Sequence, residues 1–258
     1  MSGTRSTSTR EPATEAPPQR AALVVCSYGG GDCAVHDRVR ALGRASGFSE
    51  AAAATLFGAP RIEEVVASLR GFPIFVVPLF MARGVTYSAL QHRLSELRCS
   101  DRIVLCPELG SHPGLAGRLA AHAACELRRL GWRPQETGLV LIGHGSRRNA
   151  ASQDSTERLA AEIRRLALFA DASAAFLEQH PTVQEAIRSS PARRVLALGC
   201  FAEAGRHATR DVPLGLTQSG RTAIYCGPIG QCDWIDALVV DQAMDGLRRS
   251  VRPAARLR

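Results

Sequence analysis

Short apolar runs alternate along this chain with segments of helical periodicity. The clearest run is Leu139-Val140-Leu141-Ile142, which leads straight into Gly143-His144-Gly145-Ser146. A continuous apolar run bounded by glycine predicts a strand buried on both faces of a parallel sheet. Similar runs predict strands at 21–26, 74–80, 103–106, 174–177, 195–198 and 223–226, with 103–106 counted as the fourth and only Leu56-Phe57 before Pro60 to mark the second. Apolar positions at helical spacing predict helices at 33–45, 61–70, 87–98, 114–130, 151–168, 181–188 and 233–247. Strands alternate with helices throughout, which argues for an α/β fold with parallel sheets.

The pattern occurs twice. Val25-Cys26-Ser27-Tyr28-Gly29-Gly30 aligns with Leu141-Ile142-Gly143-His144-Gly145-Ser146, and Leu56-Phe57-Gly58-Ala59-Pro60 with Leu177-Glu178-Gln179-His180-Pro181. Phe80-Met81-Ala82-Arg83-Gly84-Val85-Thr86 aligns with Phe201-Ala202-Glu203-Ala204-Gly205-Arg206-His207, and Cys106-Pro107-Glu108-Leu109-Gly110 with Cys226-Gly227-Pro228-Ile229-Gly230. Four anchors in one order, offset by 116 to 121 residues, indicate a duplication. The expected architecture is two tandem flavodoxin-like halves whose parallel sheets face a cleft. Residues 21–130 form the N-terminal half and 131–248 the C-terminal half. Residues 1–20, rich in Ser, Thr, Pro and Glu, are expected to be a disordered tail, and 249–258 a basic tail.

Composition narrows the chemistry. Arginine supplies all 32 basic residues, so a Schiff-base lysine and a phosphate loop ending in Gly-Lys-Ser/Thr are both excluded. The net charge is +8, but residues 1–20 contribute +1 and 248–258 contribute +5, leaving +2 for the body. Nucleic-acid binding needs basic residues clustered on one face of the fold, which this distribution does not offer. Eight cysteines include no CxxC pair, and Cys226-x5-Cys232 is a weak metal signal. No secretory leader or membrane-spanning run is visible, so a reducing cytoplasm is the expected location.

The candidate site follows from the half-to-half comparison. Glycines, Pro60/Pro181 and Phe80/Phe201 match, as turn and packing positions should. Three positions differ sharply: His144 faces Tyr28, Glu178 faces Phe57, and His207 faces Thr86. Each lies at or just past the carboxyl end of a strand, where open α/β sheets bind ligands. A histidine needed there for structure would be needed in both halves; the plain alternative for His144 is a turn cap. Two imidazoles and a carboxylate suit a mid-row divalent metal, and three ligands leave the coordination sphere open. His180, beside Gln179, could line the same cleft, whereas His36, His92, His112 and His122 fall on helices or loops.

With these residues in view, the chain resembles the CbiX/SirB family, the sirohydrochlorin chelatases of the class II chelatase group. The matching stretches are Leu-Ile-Gly-His-Gly-Ser-Arg at 141–147, Ala-Phe-Leu-Glu and the following Pro and Glu-Ala-Ile within 175–187, and Ala-Gly-Arg-His with Asp211-Val212-Pro213 at 204–213. The N-terminal half joins through Val-Val-Pro-Leu-Phe-Met-Ala-Arg-Gly at 76–84. The resemblance implies a lyase-type chelatase that inserts cobalt or iron, a divalent ion as substrate, into sirohydrochlorin on the way to cobalamin or siroheme. It implies that His144 and His207 bind the metal and help deprotonate the macrocycle, with Glu178 assisting, and that no organic cofactor takes part. The expected partner is sirohydrochlorin or a related carboxylated tetrapyrrole, with no nucleic acid and no membrane, and the expected state is a monomer. Arg147, Arg148, Arg206 and Arg210 flank the histidines and could clamp the carboxylates, with Ser146 beside them. Family members with two halves commonly keep the histidine pair in the N-terminal half, whereas here it lies in the C-terminal half. The long-member extensions, an iron–sulfur motif or a His-rich tract, are not visible. The alternatives are a non-catalytic metal- or tetrapyrrole-binding protein of the same fold, and a hydrolase using Ser146 beside His144. Gly-His-Gly-Ser is not a nucleophile elbow, which disfavours the hydrolase.

Overall fold

The structure, a computed structural model, describes residues 21–29, 33–69, 73–203 and 205–251. The tail expected at 1–20 lies outside the described residues, as does most of the one expected at 249–258.

The first series of elements is β1 (Ala22–Ser27), α1 (Cys33–Ala45), β2 (Glu50–Thr55), α2 (Ile62–Ser68), β3 (Ile74–Pro78), α3 (Val85–Ser95), β4 (Ile103–Leu105) and α4 (Leu115–Arg129). The second is β5 (Thr137–Gly143), α5 (Ala151–Arg165), β6 (Asp171–Phe176), α6 (Val183–Ser189), β7 (Arg194–Gly199), α7 (Val212–Ser219), β8 (Thr222–Pro228) and α8 (Ile235–Val251). They build two four-stranded sheets, ordered β2-β1-β3-β4 and β6-β5-β7-β8, with every pairing parallel. The central strands β1, β3 and β5 are buried at every position, which is why they read as unbroken apolar runs.

Two elements were not delimited by the sequence pattern. The edge strand β2 reads Glu-Ala-Ala-Ala-Ala-Thr, and alanine intrinsically prefers helix. Its pairing along the whole of β1 overrides that preference. The sequence pattern delimits no helix at α7, which begins with Pro213 in its first turn and ends at Gly220, whose φ of 67° closes the helix in the left-handed region.

The two sheets share one interior. A single apolar cluster runs from Leu23, Phe75 and Leu79 in the first half to Leu139, Leu141 and Leu198 in the second, while the outer sheet faces pack separately against their own helices. The last helix of each half crosses over to build this interior. Helix α4 packs on α5 and β7, and α8 packs on β3 and β4. Gln242 of α8 donates from Nε2 to the carbonyl oxygens of Pro107 and Glu108, at 3.3 and 3.2 Å. Arg38 of α1 clasps Asp236 of α8, with Nε to Oδ1 at 2.8 Å. The halves are therefore fused along their length and part only at the carboxyl ends of the strands.

The duplication survives at atomic detail. Gly110 and Gly230 donate from their amides to Phe80 and Phe201, each at 3.0 Å. A Cβ on Gly110 would stand 1.8 Å from the Met81 carbonyl oxygen, and one on Gly230 would stand 2.2 Å from that of Ala202. Each glycine lets a loop lie flat against the turn that leaves the third strand of its half. Among the described residues no helix is long and apolar enough to cross a membrane.

Candidate functional site

The strand order of each sheet reverses between its two central strands, and ligands bind outside the carboxyl ends at such a point. Here the two switch points face each other across a cleft of about 540 Å³. Tyr28 follows β1, residues 79–82 follow β3, residues 144–146 follow β5 and residues 200–203 follow β7, and all of them line it. Burial pushes the pKa of the Cys200 thiol in the cleft wall up to about 12, so the free thiol there is neutral.

His144 and His207 meet in this cleft. Their Nε2 atoms lie 3.2 Å apart, and the rings are edge to face at 87° with centroids 4.6 Å apart. Gly145, with φ of 74°, turns the chain so that its own carbonyl oxygen accepts from Nδ1 of His144 at 2.9 Å. His207 opens a single π-helical turn, His207–Asp211, a form that recurs at functional sites. That turn places Asp211 where Oδ2 accepts from Nδ1 of His207 at 2.8 Å.

These contacts determine where the protons are. A carbonyl oxygen and a carboxylate can only accept from the rings here, so both Nδ1 atoms carry hydrogen. In two neutral rings both Nε2 atoms are then bare, and their lone pairs face each other at 3.2 Å. The pair is complete only when it shares a proton or takes up a cation. Two nitrogen ligands about 2.1 Å from one ion stand about 3.0–3.4 Å apart at bite angles of about 90–109°, and the observed spacing falls in that span.

Glu178 stands beside the pair, with Oε1 3.7 Å from Nε2 of His144 and its side chain 54% exposed. Its backbone amide donates to the His144 carbonyl at 3.1 Å, which ties the two strand ends together. Among the described residues no group of three or more His, Cys, Asp or Glu side chains is arranged to hold a metal. The structure thus brings His144 and His207 together as a pair with Glu178 as a near neighbour.

Ser146 lines the cleft and also a neighbouring open depression that includes Arg147 and Arg148. Its amide donates to Oε1 of Gln179 at 2.8 Å and its hydroxyl accepts from the Arg148 amide at 3.2 Å. His144 directs its ring nitrogens to Gly145 and His207 and not to this hydroxyl, so no Ser–His pair for hydrolysis is formed. Arg206 and Arg210 are exposed beside His207 but do not line the cleft. His180 bonds Oε2 of Glu185 at 2.8 Å, outside the cleft. His112 and His122 lie away from it, their pKa values lowered by burial. Cys232 reaches His122 at 3.7 Å.

Two residues escaped the sequence reading of the site. Asp211 stands in the sequence only as part of the Asp211-Val212-Pro213 motif, although its spacing of four from His207 is the spacing at which helical side chains meet. Glu203 lines the cleft, and its Oε1 is buried without a hydrogen-bond partner among the described residues. It faces Ala82 in the half-to-half alignment, so the comparison that singled out the histidines also marks it.

A family model described as CbiX matches this chain twice, over residues 31–124 and 138–245. The chain belongs to the CbiX family. A curated relative from Halobacterium salinarum, named "Probable sirohydrochlorin cobaltochelatase", is 24% identical over 179 residues, 60% of this chain. The chain spans 60% of that relative's length. Among solved structures, the one described as CbiX, the terminal enzyme for biosynthesis of siroheme in denitrifying bacteria, is 26% identical with a TM-score of 0.70, over 90% of this chain and 100% of that one. A multi-domain Deinococcus radiodurans protein with structural similarity to chelatases shares the fold at 20% identity and a TM-score of 0.75, over 90% of this chain and 56% of its own. SirB from Bacillus subtilis with Fe3+ does so at 14% and 0.69, over 90% of this chain and 97% of its own. The fold of the CbiX family is therefore that of this chain, with two parallel sheets and flanking helices.

Proposed function

We propose that this chain is a chelatase that inserts a divalent metal ion, cobalt or iron, into sirohydrochlorin or a closely related carboxylated tetrapyrrole. The observation that carries the reading is the face-to-face pair of Nε2 lone pairs of His144 and His207, with both Nδ1 protons already committed. Insertion exchanges one divalent ion for two pyrrole N–H protons. A site that does this must first hold the ion and then accept protons as the ion leaves it. The bare Nε2 pair meets both demands at one place, since histidine near neutral pH serves as ligand and as base.

The other residues take supporting roles. Asp211 fixes the tautomer and orientation of His207, as a carboxylate behind a metal-binding histidine does. Glu178, exposed and adjacent, assists the transfer of the ion or of a proton. Arg147, Arg148, Arg206 and Arg210 are exposed around the two histidines, and Ser146 leads into the first two. Among the described residues these guanidinium groups make no hydrogen bond or ion pair, which leaves their donors for the carboxylates of the macrocycle. The names of the relatives support the choice of macrocycle and of metals: one is called a cobaltochelatase, one belongs to siroheme synthesis and one was solved with iron.

The test is spectrophotometric. Sirohydrochlorin mixed with the protein and cobalt, ferrous or nickel ion should change spectrum at a rate proportional to protein concentration and pass well beyond one equivalent. A change that stops at one equivalent identifies a carrier, and no change above the uncatalysed rate with any of the ions removes the chelatase reading.

A further inference from the structure

The cleft has a second lip, built by the half without the histidines. Tyr28 and Val85, which line the cleft together with His144 and His207, are 57% and 70% exposed. Phe57, 52% exposed, backs Tyr28 with ring centroids 5.0 Å apart. The Phe57 amide donates to the Tyr28 carbonyl at 2.8 Å, so the two rings are fixed to one backbone pair. The Arg93 guanidinium lies 4.9 Å from the centroid of Phe57 and is itself anchored to the Leu56 carbonyl and to Glu63, at 2.5 and 3.3 Å. The result is a braced column from Arg93 through Phe57 to Tyr28, ending in an exposed ring in the cleft.

Leaving Tyr28 and Val85 in water in the cleft, with Phe57 exposed behind Tyr28, has a cost unless something covers them. Their positions say what does. Tyr28 and Phe57 occupy the strand ends that correspond to His144 and Glu178 in the other half. One lip therefore offers ion ligands and bases, and the opposite lip offers an aromatic surface. A ligand fitting both must have polar nitrogens at its centre and a broad apolar π face around them, with its charges at the rim.

We propose that Tyr28, braced by Phe57 and flanked by Val85, is the stacking platform that holds the face of the macrocycle against the histidine pair. The assignment rests on the chelatase reading above and makes the N-terminal half a binding half. The platform acts by binding. Stacking holds the macrocycle in the cleft beside His144 and His207 equally before and during insertion, so it raises affinity and leaves the insertion step itself to the histidine pair.

The experiment compares the full-length protein with Tyr28→Ala and Tyr28→Phe, using metal-free sirohydrochlorin for fluorescence titration and cobalt for steady-state insertion. Loss of aromatic stacking predicts a Kd and a KM for the macrocycle raised about tenfold in Tyr28→Ala, with kcat changed by less than about threefold and an unchanged thermal transition. Tyr28→Phe should restore wild-type values, because the ring face is the binding element. Val85→Ser should shift the same two constants in the same direction by a smaller factor. Wild-type Kd and KM in Tyr28→Ala, or a Tyr28→Phe variant as impaired as Tyr28→Ala, would overturn the platform. A wild-type protein that binds the macrocycle without inserting metal would instead overturn the chelatase reading, and the titration would still decide the role of Tyr28.

Discussion

Nε2 of His144 and Nε2 of His207 lie 3.2 Å apart although 63 positions separate them in the chain. His144 directly follows β5 and His207 opens the π-helical turn beyond β7, and each ring has its other nitrogen held by an acceptor. The pair is preorganised, with its lone pairs already converging.

Asp211 is the element of that arrangement easiest to remove alone. Asp211→Asn keeps the size of the side chain but lets its amide nitrogen face Nδ1 of His207, which then turns or changes tautomer. Insertion should fall by about 10- to 100-fold, with sirohydrochlorin affinity unchanged. Because the Asp211 side chain is one-third exposed, the melting temperature should move little. Wild-type turnover in Asp211→Asn would show that the carboxylate does not orient the ring.

Gly230 packs against Phe201 and Ala202, which precede that segment in the chain. Gly230→Ala would drive a methyl group into the Ala202 carbonyl, 2.2 Å from the ideal Cβ position, and backbone cannot yield as a flexible side chain would. The expected cost is about 2–4 kcal/mol in urea denaturation, with loss of insertion because Ala202 leads through Glu203 to His207. Gly110→Ala should cost a similar amount by the same clash with Met81, but spare more of kcat, since the N-terminal half carries no histidine of the pair. A neutral result at both positions would contradict the described loop packing.

Much of this organisation was legible in the sequence. Strands β1, β3, β5 and β7 were visible because burial on both faces demands unbroken apolar runs. Strand β2 was not, because its alanines carry no strand signal and are held by pairing with β1. The crossing of α4 and α8 between halves was also invisible, since an amphipathic face does not say which sheet it covers. His144, Glu178 and His207 stood out because a duplication supplies its own control. Glu203 opposite Ala82 carries the same signal, whereas an aromatic residue in place of histidine, as at Tyr28, reads in the sequence as loss.

Acid should weaken the fold through buried His112 and half-buried His122. His112 is nearly inaccessible and its Nδ1 accepts from the Gly114 amide at 3.0 Å, which requires a neutral ring. Burial lowers its pKa below 6.5, against the opposing pull of Asp241 and Asp245. Burial lowers that of His122 likewise, against Glu126. As pH falls below about 6.5 the unfolded chain takes up protons that the folded chain refuses, so stability drops; the loss levels off once the folded histidines also protonate. The urea midpoint should therefore fall between about pH 7.5 and pH 5, and fall less in a His112→Gln, His122→Gln variant. An equal fall in both proteins would assign the pH dependence to other groups.

The most direct measurement is cobalt insertion into sirohydrochlorin by the wild type, His144→Ala and His207→Ala, followed by absorbance at equal protein concentration. The wild type should turn over many equivalents. Each single variant should lose at least about 100-fold in kcat, while circular dichroism and melting remain those of the wild type, because both side chains are 43% exposed and contribute little to the core. Turnover in both variants comparable to the wild type would contradict the account, because the ion would then enter the macrocycle somewhere other than between His144 and His207.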